Sequence, residues 1–279
     1  MKRGITDLRV AALQTALHWE DAEANIKHIQ HHISLQEGEV DLIVLPEMWS
    51  SGFSMRPEHV AMDWDDAWID QTDRWPEPLK AMRRWSQEKN AAIVGSISCR
   101  IKSDDRFVNR CFFVSPTQDL EWYDKRHLFG FAGEDKVYTA GKTSTSIAWR
   151  GWTLHLQVCY DLRFPVFSRN TAANPYDVVI YVANWPAARI HAWQALLQAR
   201  AIENQCYAIG VNRVGADGNG IEHNGLSQVL HPKGHALALA PSNESTWLNA
   251  TLSANELLDF RSKFPVLEDG DSFEIKQRR

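Results

Sequence analysis

The sequence predicts an α/β protein in which strands and helices form one domain and both faces of the sheet are covered. Short apolar runs, mostly of β-branched residues, alternate with amphipathic stretches along the chain. The hydrophobic content of 44% provides material for a core. No linker, low-complexity tract or internal repeat divides the sequence. We therefore expect a single domain over residues 1–279, with a short polar tail at about residues 266–279.

The individual elements follow from the spacing of apolar residues. Strands are predicted at residues 8–13, 41–45, 91–98, 112–115, 146–149, 153–159, 176–183 and 207–212. Helices are predicted at residues 24–35, 79–89 and 191–204, where apolar side chains recur at helical intervals. Turn residues on both sides of residues 226–230 indicate a hairpin.

Composition and charge exclude several classes of function. A formal net charge of −5 would repel the phosphates of nucleic acids on average, so we expect no nucleic-acid partner. No segment is long and apolar enough to span a bilayer, and we expect no membrane association. No long apolar run follows Lys2 and Arg3, so a signal peptide is not expected. The prediction is a soluble, cytoplasmic protein.

One of the four cysteines is a candidate nucleophile. Cys99, Cys111, Cys159 and Cys206 are widely spaced and form no CxxC pair, which argues against a disulfide framework. Cys159 ends a predicted strand and polar residues follow it at once. A thiol at a sharp strand-to-helix turn is exposed, and the backbone N–H groups there can hold an oxyanion. This segment alone leaves two interpretations, a catalytic thiol or a small core residue.

A thiol nucleophile needs a proton acceptor, and the residues alone leave two possibilities. One is a histidine, with His127, His191 and His223 as candidates. The other is Glu47, just after the apolar strand at residues 41–45, because ligands bind at the carboxyl ends of strands in α/β sheets. Its apolar neighbours would solvate a carboxylate poorly, which suits a general base. A helix cap or an ion pair is an equally good interpretation of Glu47 in isolation.

A lysine and a pair of histidines are further candidates for chemistry. Lys125 is either a solvated charge or a cation directed at an oxyanion. His28 and His32 are four residues apart and could together bind a transition metal. No carboxylate ligand is suggested nearby, so we expect the two histidines on a solvated helix face and expect no metal site.

Three segments occur in the order typical of the nitrilase-like carbon–nitrogen hydrolases, which the chain resembles. They are Leu45-Pro46-Glu47, Tyr123-Asp124-Lys125-Arg126-His127-Leu128-Phe129 and Val158-Cys159-Tyr160-Asp161-Leu162-Arg163-Phe164-Pro165. The similarity covers nearly the whole chain, from residue 12 to residue 227. It implies a four-layer α-β-β-α sandwich, usually dimeric, so a homodimer is expected.

The resemblance also implies roles for four residues. Glu47 would be the general base, Lys125 the cation that holds the oxyanion, and Cys159 the nucleophile. Glu134 fits the position of a second family glutamate and would orient Lys125 and the substrate nitrogen. Because the family uses no histidine base, the resemblance favours Glu47 over the histidines. It implies neither a cofactor nor a metal.

The residues after the nucleophile indicate a branch of the family. Tyr160-Asp161 is typical of amidases, whereas nitrilases usually have Trp-Glu at these positions. The longer strings, including residues 181–186, resemble bacterial omega-amidases, which hydrolyse the terminal amide of 2-oxo dicarboxylic acid monoamides such as 2-oxoglutaramate. The alternative is an N-carbamoyl amino acid amidase or a general aliphatic amidase of the same family.

Such a substrate needs a cation for its distal carboxylate. Arg163 could form a bidentate pair with that carboxylate, or a structural ion pair with Asp161. Arg189 is the second candidate. Trp185 is expected to form a pocket wall, and the backbone N–H of Tyr160 is expected to bind the oxyanion.

Overall fold

A computed structural model of the protein describes residues 5–117 and 119–276. Lys2, Arg3 and the last three residues of the predicted tail lie outside the described residues. The helices are α1 (Ala22–Leu35), α2 (Pro57–Val60), α3 (Glu77–Lys89), α4 (Glu134–Val137), α5 (Ile190–Glu203) and α6 (Ala254–Lys263). The strands are β1 (Leu8–Gln14), β2 (Leu42–Val44), β3 (Met62–Trp64), β4 (Ala92–Ile101), β5 (Arg106–Val114), β6 (Leu120–Asp124), β7 (Thr145–Trp149), β8 (Trp152–Val158), β9 (Val178–Ala183), β10 (Tyr207–Asn212), β11 (Val214–Ala216), β12 (Glu222–Asn224), β13 (Gln228–Leu230), β14 (Ala236–Leu239) and β15 (Thr246–Leu252).

The strands form two large mixed sheets. The first has the order β15-β1-β2-β4-β5-β6, with β3 beside β4, and the second has the order β14-β13-β10-β9-β8-β7. The parallel pairs are central in each sheet: β1, β2 and β4 in the first, and β8, β9 and β10 in the second. Parallel strands that are buried on both faces appear in a sequence as continuous apolar runs. The central strands of both sheets are such runs.

Alternate residues of the central strands supply two separate cores. Leu42 and Val44 of β2 point into a core that the two sheets share, whereas Ile43 points to the opposite face of its sheet. On that opposite face Ile43 packs in a second core, which α1 and α3 cover with Ile29 and Trp85. The first core continues beneath α5 on the outer face of the second sheet.

Four layers follow from this packing: α1 and α3, the first sheet, the second sheet, and α5. The predicted fold class, an α-β-β-α sandwich, is therefore confirmed. None of the described helices is long and apolar enough to cross a membrane.

Capping residues determine where two of the predicted helices begin or end. Asp21 accepts a hydrogen bond from the backbone N–H of Ala24 at 2.9 Å, so α1 begins two residues before the predicted start. Asn90 adopts a left-handed conformation with φ of 48° and ends α3 where the sequence predicts.

The C-terminal region contains more regular structure than expected. The predicted hairpin is present as β13 paired with β14, and a second hairpin, in which β11 pairs with β12, precedes it. Two further elements were not predicted: β15, an edge strand that pairs with β1, and α6, which Ser253 caps. Both present polar residues to the surface and lack a clear apolar period. The described residues of the predicted tail, 266–276, form neither helix nor strand.

His28 and His32 do not lie on a solvated face. Both are half-buried, and the Nε2 atoms of both approach the Thr15 hydroxyl, at 2.8 and 3.2 Å. Burial lowers the pKa of His28 to about 4. Within residues 5–117 and 119–276 no group of three or more His, Cys, Asp or Glu side chains has the geometry of a metal site.

Candidate active site

The candidate residues gather where strands of the two sheets end. Glu47 follows β2 by three residues, and Lys125 directly follows β6. In the facing sheet Cys159 directly follows β8, and Asn184 directly follows β9. Strands β2 and β4 are parallel and β6 is related to β4 through two antiparallel pairings, so β2 and β6 run in the same direction and end at the same edge. Side chains from distant parts of the sequence therefore meet between the sheets.

A buried cluster of one ammonium and two carboxylates forms the centre of the site. Lys125 Nζ lies 2.9 Å from Oε1 of Glu47 and 2.9 Å from each carboxylate oxygen of Glu134. All three side chains have no exposed surface. Burial alone would lower the pKa of Lys125, but the charges of Glu134 and Glu47 outweigh burial and raise it. Lys125 is therefore a permanent cation.

The main chain holds Glu134 in this cluster. The N–H of Phe129 donates to Oε2 of Glu134 at 2.6 Å, and α4 begins at Glu134 itself. Burial raises the pKa of Glu134, and the Lys125 charge opposes that rise. The neighbouring Asp135 is exposed, and its carboxylate lies near Gly130.

Two asparagines complete the surroundings of Glu47, and neither was predicted as a site residue. Asn109 Nδ2 donates to Oε1 of Glu47 at 2.8 Å, and the backbone N–H of Asn184 donates to Oε2 at 2.8 Å. The Asn184 side chain also donates to the main-chain carbonyl of Glu47 at 2.7 Å. The one signal in the sequence for Asn109 is a polar residue within the apolar run of β5.

Cys159 occupies a sharp turn between β8 and the 3₁₀ turn that follows. Its φ of 44° is left-handed, a strained conformation for a residue with a side chain. Burial raises the pKa of the Cys159 thiol well above its usual value; Glu47 adds to the rise and Lys125 opposes it. The resting side chain is thus a neutral thiol that needs a base. These charges act on Cys159 because it lies beside the cluster.

Hydrogen bonds to the Asp161 carboxylate hold this turn in place. Its Oδ2 accepts hydrogen bonds from the Tyr123 hydroxyl at 2.8 Å and from the Val158 N–H at 3.0 Å. Its Oδ1 accepts from the His127 N–H at 3.0 Å and lies 2.7 Å from Nδ1 of the same histidine. The ion pair considered between Asp161 and Arg163 is therefore not formed. This carboxylate instead connects two of the three segments that carry the family resemblance, residues 123–129 and residues 158–165.

An open cavity of about 770 Å³ leads to Cys159. All four residues predicted to bind substrate line it: Tyr160, Arg163, Trp185 and Arg189. The Arg163 guanidinium stacks on Trp185 at 5.0 Å, and the Arg189 guanidinium stacks on Phe129 at 5.2 Å. Neither arginine forms an ion pair with any described residue, so both cations are free to meet a ligand.

The histidines considered as bases lie in different environments. His127 is bound to Asp161, and His191 is exposed at the start of α5. His223 lines the cavity, and burial lowers its pKa to about 4, so it is neutral near pH 7. The charged groups that act most strongly on Cys159 are Glu47, Lys125 and Glu134. The geometry therefore favours the carboxylate over a histidine as the proton acceptor.

Known proteins share both the sequence and the fold. The sequence pattern of the carbon–nitrogen hydrolase family matches residues 9–261. The omega-amidase YafV of Escherichia coli K12 is 43% identical over 268 residues, which cover 96% of this chain and 98% of YafV. The 2-oxoglutaramate amidase of Paenarthrobacter nicotinovorans is 35% identical, over 94% of this chain and 89% of the relative.

Among solved structures, XC1258 of Xanthomonas campestris, a CN-hydrolase superfamily protein with an arsenic adduct in its active site, superposes with a TM-score of 0.86. It is 37% identical and covers 97% of this chain, which in turn covers 99% of XC1258. The family match spans most of the residues that build both sheets and the candidate site. The chain belongs to the carbon–nitrogen hydrolase family.

Proposed function

We propose that this chain is a thiol-dependent omega-amidase, which hydrolyses the terminal amide of 2-oxo dicarboxylic acid monoamides, such as 2-oxoglutaramate, to the acid and ammonia. The observation that carries the proposal is the buried Glu47–Lys125–Glu134 cluster beside the Cys159 thiol, which lines a cavity with two arginines that form no ion pair with a described residue. The names of the E. coli and P. nicotinovorans relatives agree with it.

In the first half of the proposed reaction the thiol attacks the amide carbon. Glu47 takes the proton of Cys159, whose raised pKa makes a base necessary. The carbonyl oxygen becomes an oxyanion, which the Lys125 ammonium and the N–H of Tyr160 stabilise. Lys125 is preorganised for this role because Glu47 and Glu134 hold its Nζ at 2.9 Å.

In the second half the carbon–nitrogen bond breaks. Protonated Glu47 returns its proton to the leaving nitrogen, and ammonia departs, leaving a thioester on Cys159. Glu47 then takes a proton from water, which attacks the thioester carbon, and the proton returns to the sulfur as the acid is released. The same carboxylate serves both halves, so neither half needs a second base.

The arginines support a substrate with a distal carboxylate. Arg163 and Arg189 both line the cavity, and both rest on aromatic rings that hold the guanidinium without neutralising it. A neutral aliphatic amide would leave both cations unpaired. The monoamide of a dicarboxylic acid would instead pair one of them through a bidentate contact.

Ammonia release tests the proposal directly. The purified protein is assayed with 2-oxoglutaramate, an N-carbamoyl amino acid and a neutral aliphatic amide. We expect kcat/KM to be highest for 2-oxoglutaramate and Cys159→Ala to release none, because removing the nucleophile costs several orders of magnitude in rate. Cys206→Ala is the matched control, since Cys206 is also buried and lies outside the cavity. Higher kcat/KM with the N-carbamoyl or aliphatic substrate contradicts the omega-amidase assignment.

We further propose that the enzyme is a cytoplasmic homodimer. All four cysteines are free and buried, as expected in a reducing compartment. Three large apolar side chains are exposed on neighbouring segments: Val166, Ile202 and Phe264. Hydrogen bonds join these segments, one from Arg169 to the Glu203 carbonyl and one from Gln205 to the Phe264 carbonyl. Sedimentation analysis of the wild type and of Phe264→Asp tests the dimer: we expect the variant to be monomeric, and a monomeric wild type contradicts the proposal.

A further inference from the structure

Asn109 contacts all three charged residues of the site from the middle of β5. Its Nδ2 lies 2.8 Å from Oε1 of Glu47 and 3.5 Å from Oε1 of Glu134. Its main-chain carbonyl accepts a hydrogen bond from the N–H of Lys125 at 2.9 Å. The side chain is fully buried, so water does not compete for these contacts.

The donors around Glu47 divide between its two oxygens. Oε1 accepts from Lys125 Nζ and from Asn109 Nδ2, a charged and a neutral donor. Oε2 accepts from the backbone N–H of Asn184. Asn184 lines the cavity together with Cys159, whereas Lys125 and Asn109 do not, which places Oε2 on the side of the carboxylate that faces the cavity and the thiol. The two oxygens of Glu47 are therefore not equivalent.

Stability alone does not explain an asparagine at this position. The Oδ1 atom of Asn109 is buried and has no hydrogen-bond partner among the described residues. A buried acceptor without a partner is unfavourable for folding, and an apolar side chain of similar shape would avoid that cost. An aspartate would add a third carboxylate to the cluster. Asparagine provides an N–H donor without a charge.

We propose that Asn109 is a positioning residue: together with Lys125 it occupies Oε1 of Glu47, so that Oε2 is the oxygen that exchanges the proton with Cys159. This rests on the proposed function, in which Glu47 is the base. Without Asn109, Oε1 keeps Lys125 as its donor, and the carboxylate loses one of the contacts that fix its rotation about the terminal bond. The titratable groups that face Glu47 are Lys125, Glu134 and Cys159, and none of them replaces the lost neutral donor.

Asn109→Leu and Asn109→Asp test the proposal, with Asn170→Leu as the matched control. Asn170 is also buried and also donates from Nδ2, to the carbonyls of Tyr176 and Asn204, but it lies outside the site. Two pH profiles are measured from about pH 5 to about pH 9. One is kcat/KM for ammonia release, and the other is the rate of alkylation of Cys159 by iodoacetamide, followed by mass spectrometry.

We expect Asn109→Leu to lower kcat about tenfold or more with KM within about twofold, because proton transfer is affected and substrate contacts are not. We also expect both pH profiles to move to higher pH by about half a unit or more, since the ionised carboxylate of Glu47 loses one hydrogen-bond donor. Asn170→Leu should lower the melting temperature and leave both profiles unchanged. Wild-type-like profiles in Asn109→Leu overturn the proposal.

The two readouts separate this proposal from the proposed function. A wild-type enzyme that releases no ammonia from 2-oxoglutaramate contradicts the proposed function, whereas the alkylation profile needs no substrate and still reports on Asn109. If Asn109→Leu does not fold, Asn109→Asp keeps the shape of the side chain and is judged by the same shift in the alkylation profile. An unshifted profile in that variant overturns the proposal.

Discussion

The ammonium of Lys125 lies 2.9 Å from both carboxylate oxygens of Glu134, and neither side chain is exposed to solvent. A buried cation between two carboxylates serves stability as well as chemistry. The sequence predicts a cation for the oxyanion at residue 125. The structure adds that the same cation neutralises two acids that water cannot reach.

Replacing Lys125 should therefore reduce both activity and stability. We expect Lys125→Met to lower kcat/KM by at least two orders of magnitude, through lost stabilisation of the oxyanion. We also expect it to lower the free energy of unfolding by about 3–5 kcal/mol, because it leaves two buried carboxylates without a cation. Chemical denaturation and steady-state kinetics measure the two effects. The double variant Lys125→Met/Glu134→Gln should recover part of the stability and none of the activity.

The surroundings of Glu47 make a second prediction. In Glu47→Gln the amide NH₂ group must replace one of the two carboxylate oxygens. It then faces either Lys125 and Asn109 or the N–H of Asn184, so in both orientations hydrogen-bond donors face each other. We expect a loss of at least two orders of magnitude in kcat, typical of the removal of a general base. Substrate binding should persist, since the arginines are untouched. Equal losses in kcat and substrate affinity would contradict a role limited to proton transfer.

A buried histidine predicts how stability depends on pH. His155 lies between Ser146 and Gln157, and burial lowers its pKa to about 4. The folded state thus binds fewer protons than the unfolded state between about pH 6.5, the usual value, and about pH 4. The contribution of His155 to the free energy of unfolding is therefore fully present above pH 6.5 and should fall by about 3 kcal/mol as the pH drops to about 4.

His155→Gln separates this contribution from the others. The free energy of unfolding is measured across the same window, and we expect a shallower slope in the variant. His28 and His223 also have pKa values lowered to about 4 by burial, so some slope should remain. Slopes that coincide in wild type and variant would contradict a neutral, buried His155.

Gly141 holds the strand end that carries Lys125. Its N–H donates to the Lys125 carbonyl at 2.8 Å, and an added Cβ would lie 1.9 Å from the carbonyl oxygen of Asp124. Gly141→Ala therefore requires backbone movement next to the Glu47–Lys125–Glu134 cluster. We expect a lower melting temperature together with a loss of kcat, measured by thermal unfolding and kinetics. Gly270→Ala, whose Cβ would come no closer than 3.4 Å to a neighbour, should change neither.

Sequence patterns predicted the parts of the site that strand ends determine. Glu47 and Cys159 each follow a predicted apolar strand, so their placement agrees with the rule that strand ends carry chemistry. Lys125 follows β6, which was not predicted, and its role was implied by the family resemblance. Asn109 was missed because it lies inside a strand, where its partners Glu47 and Glu134 belong to other elements. No local spacing encodes such a contact.

Asp161 illustrates the same limit. The sequence allowed an ion pair with Arg163, two residues away, but the 3₁₀ turn directs the carboxylate inward to Tyr123 and His127. These partners lie 38 and 34 residues away in the sequence. The choice between a local and a distant partner depends on how the two sheets face each other, which single-sequence patterns do not specify.

The free arginines give the prediction about specificity. Arg163 forms no ion pair with a described residue, so Arg163→Met should leave the melting temperature nearly unchanged. If Arg163 binds the distal carboxylate, the variant should lose activity on 2-oxoglutaramate and retain it on a neutral amide of similar length. A charge-assisted pair contributes about 1.5–3 kcal/mol, which corresponds to roughly a tenfold to hundredfold difference between the two substrates.

Arg189→Met is the matched variant, because Arg189 also lines the cavity, also stacks on an aromatic ring and also lacks an acidic partner among the described residues. Kinetics with both substrates then assign the carboxylate to one arginine: the variant with the substrate-dependent loss identifies it, and the other variant should affect both substrates alike. Divided binding would give partial, substrate-dependent losses in both variants. Equal effects on the two substrates in both variants would mean that neither guanidinium meets the carboxylate. Backbone N–H groups or hydroxyls would then have to bind it, and the preference for a dicarboxylate monoamide would lose its structural basis.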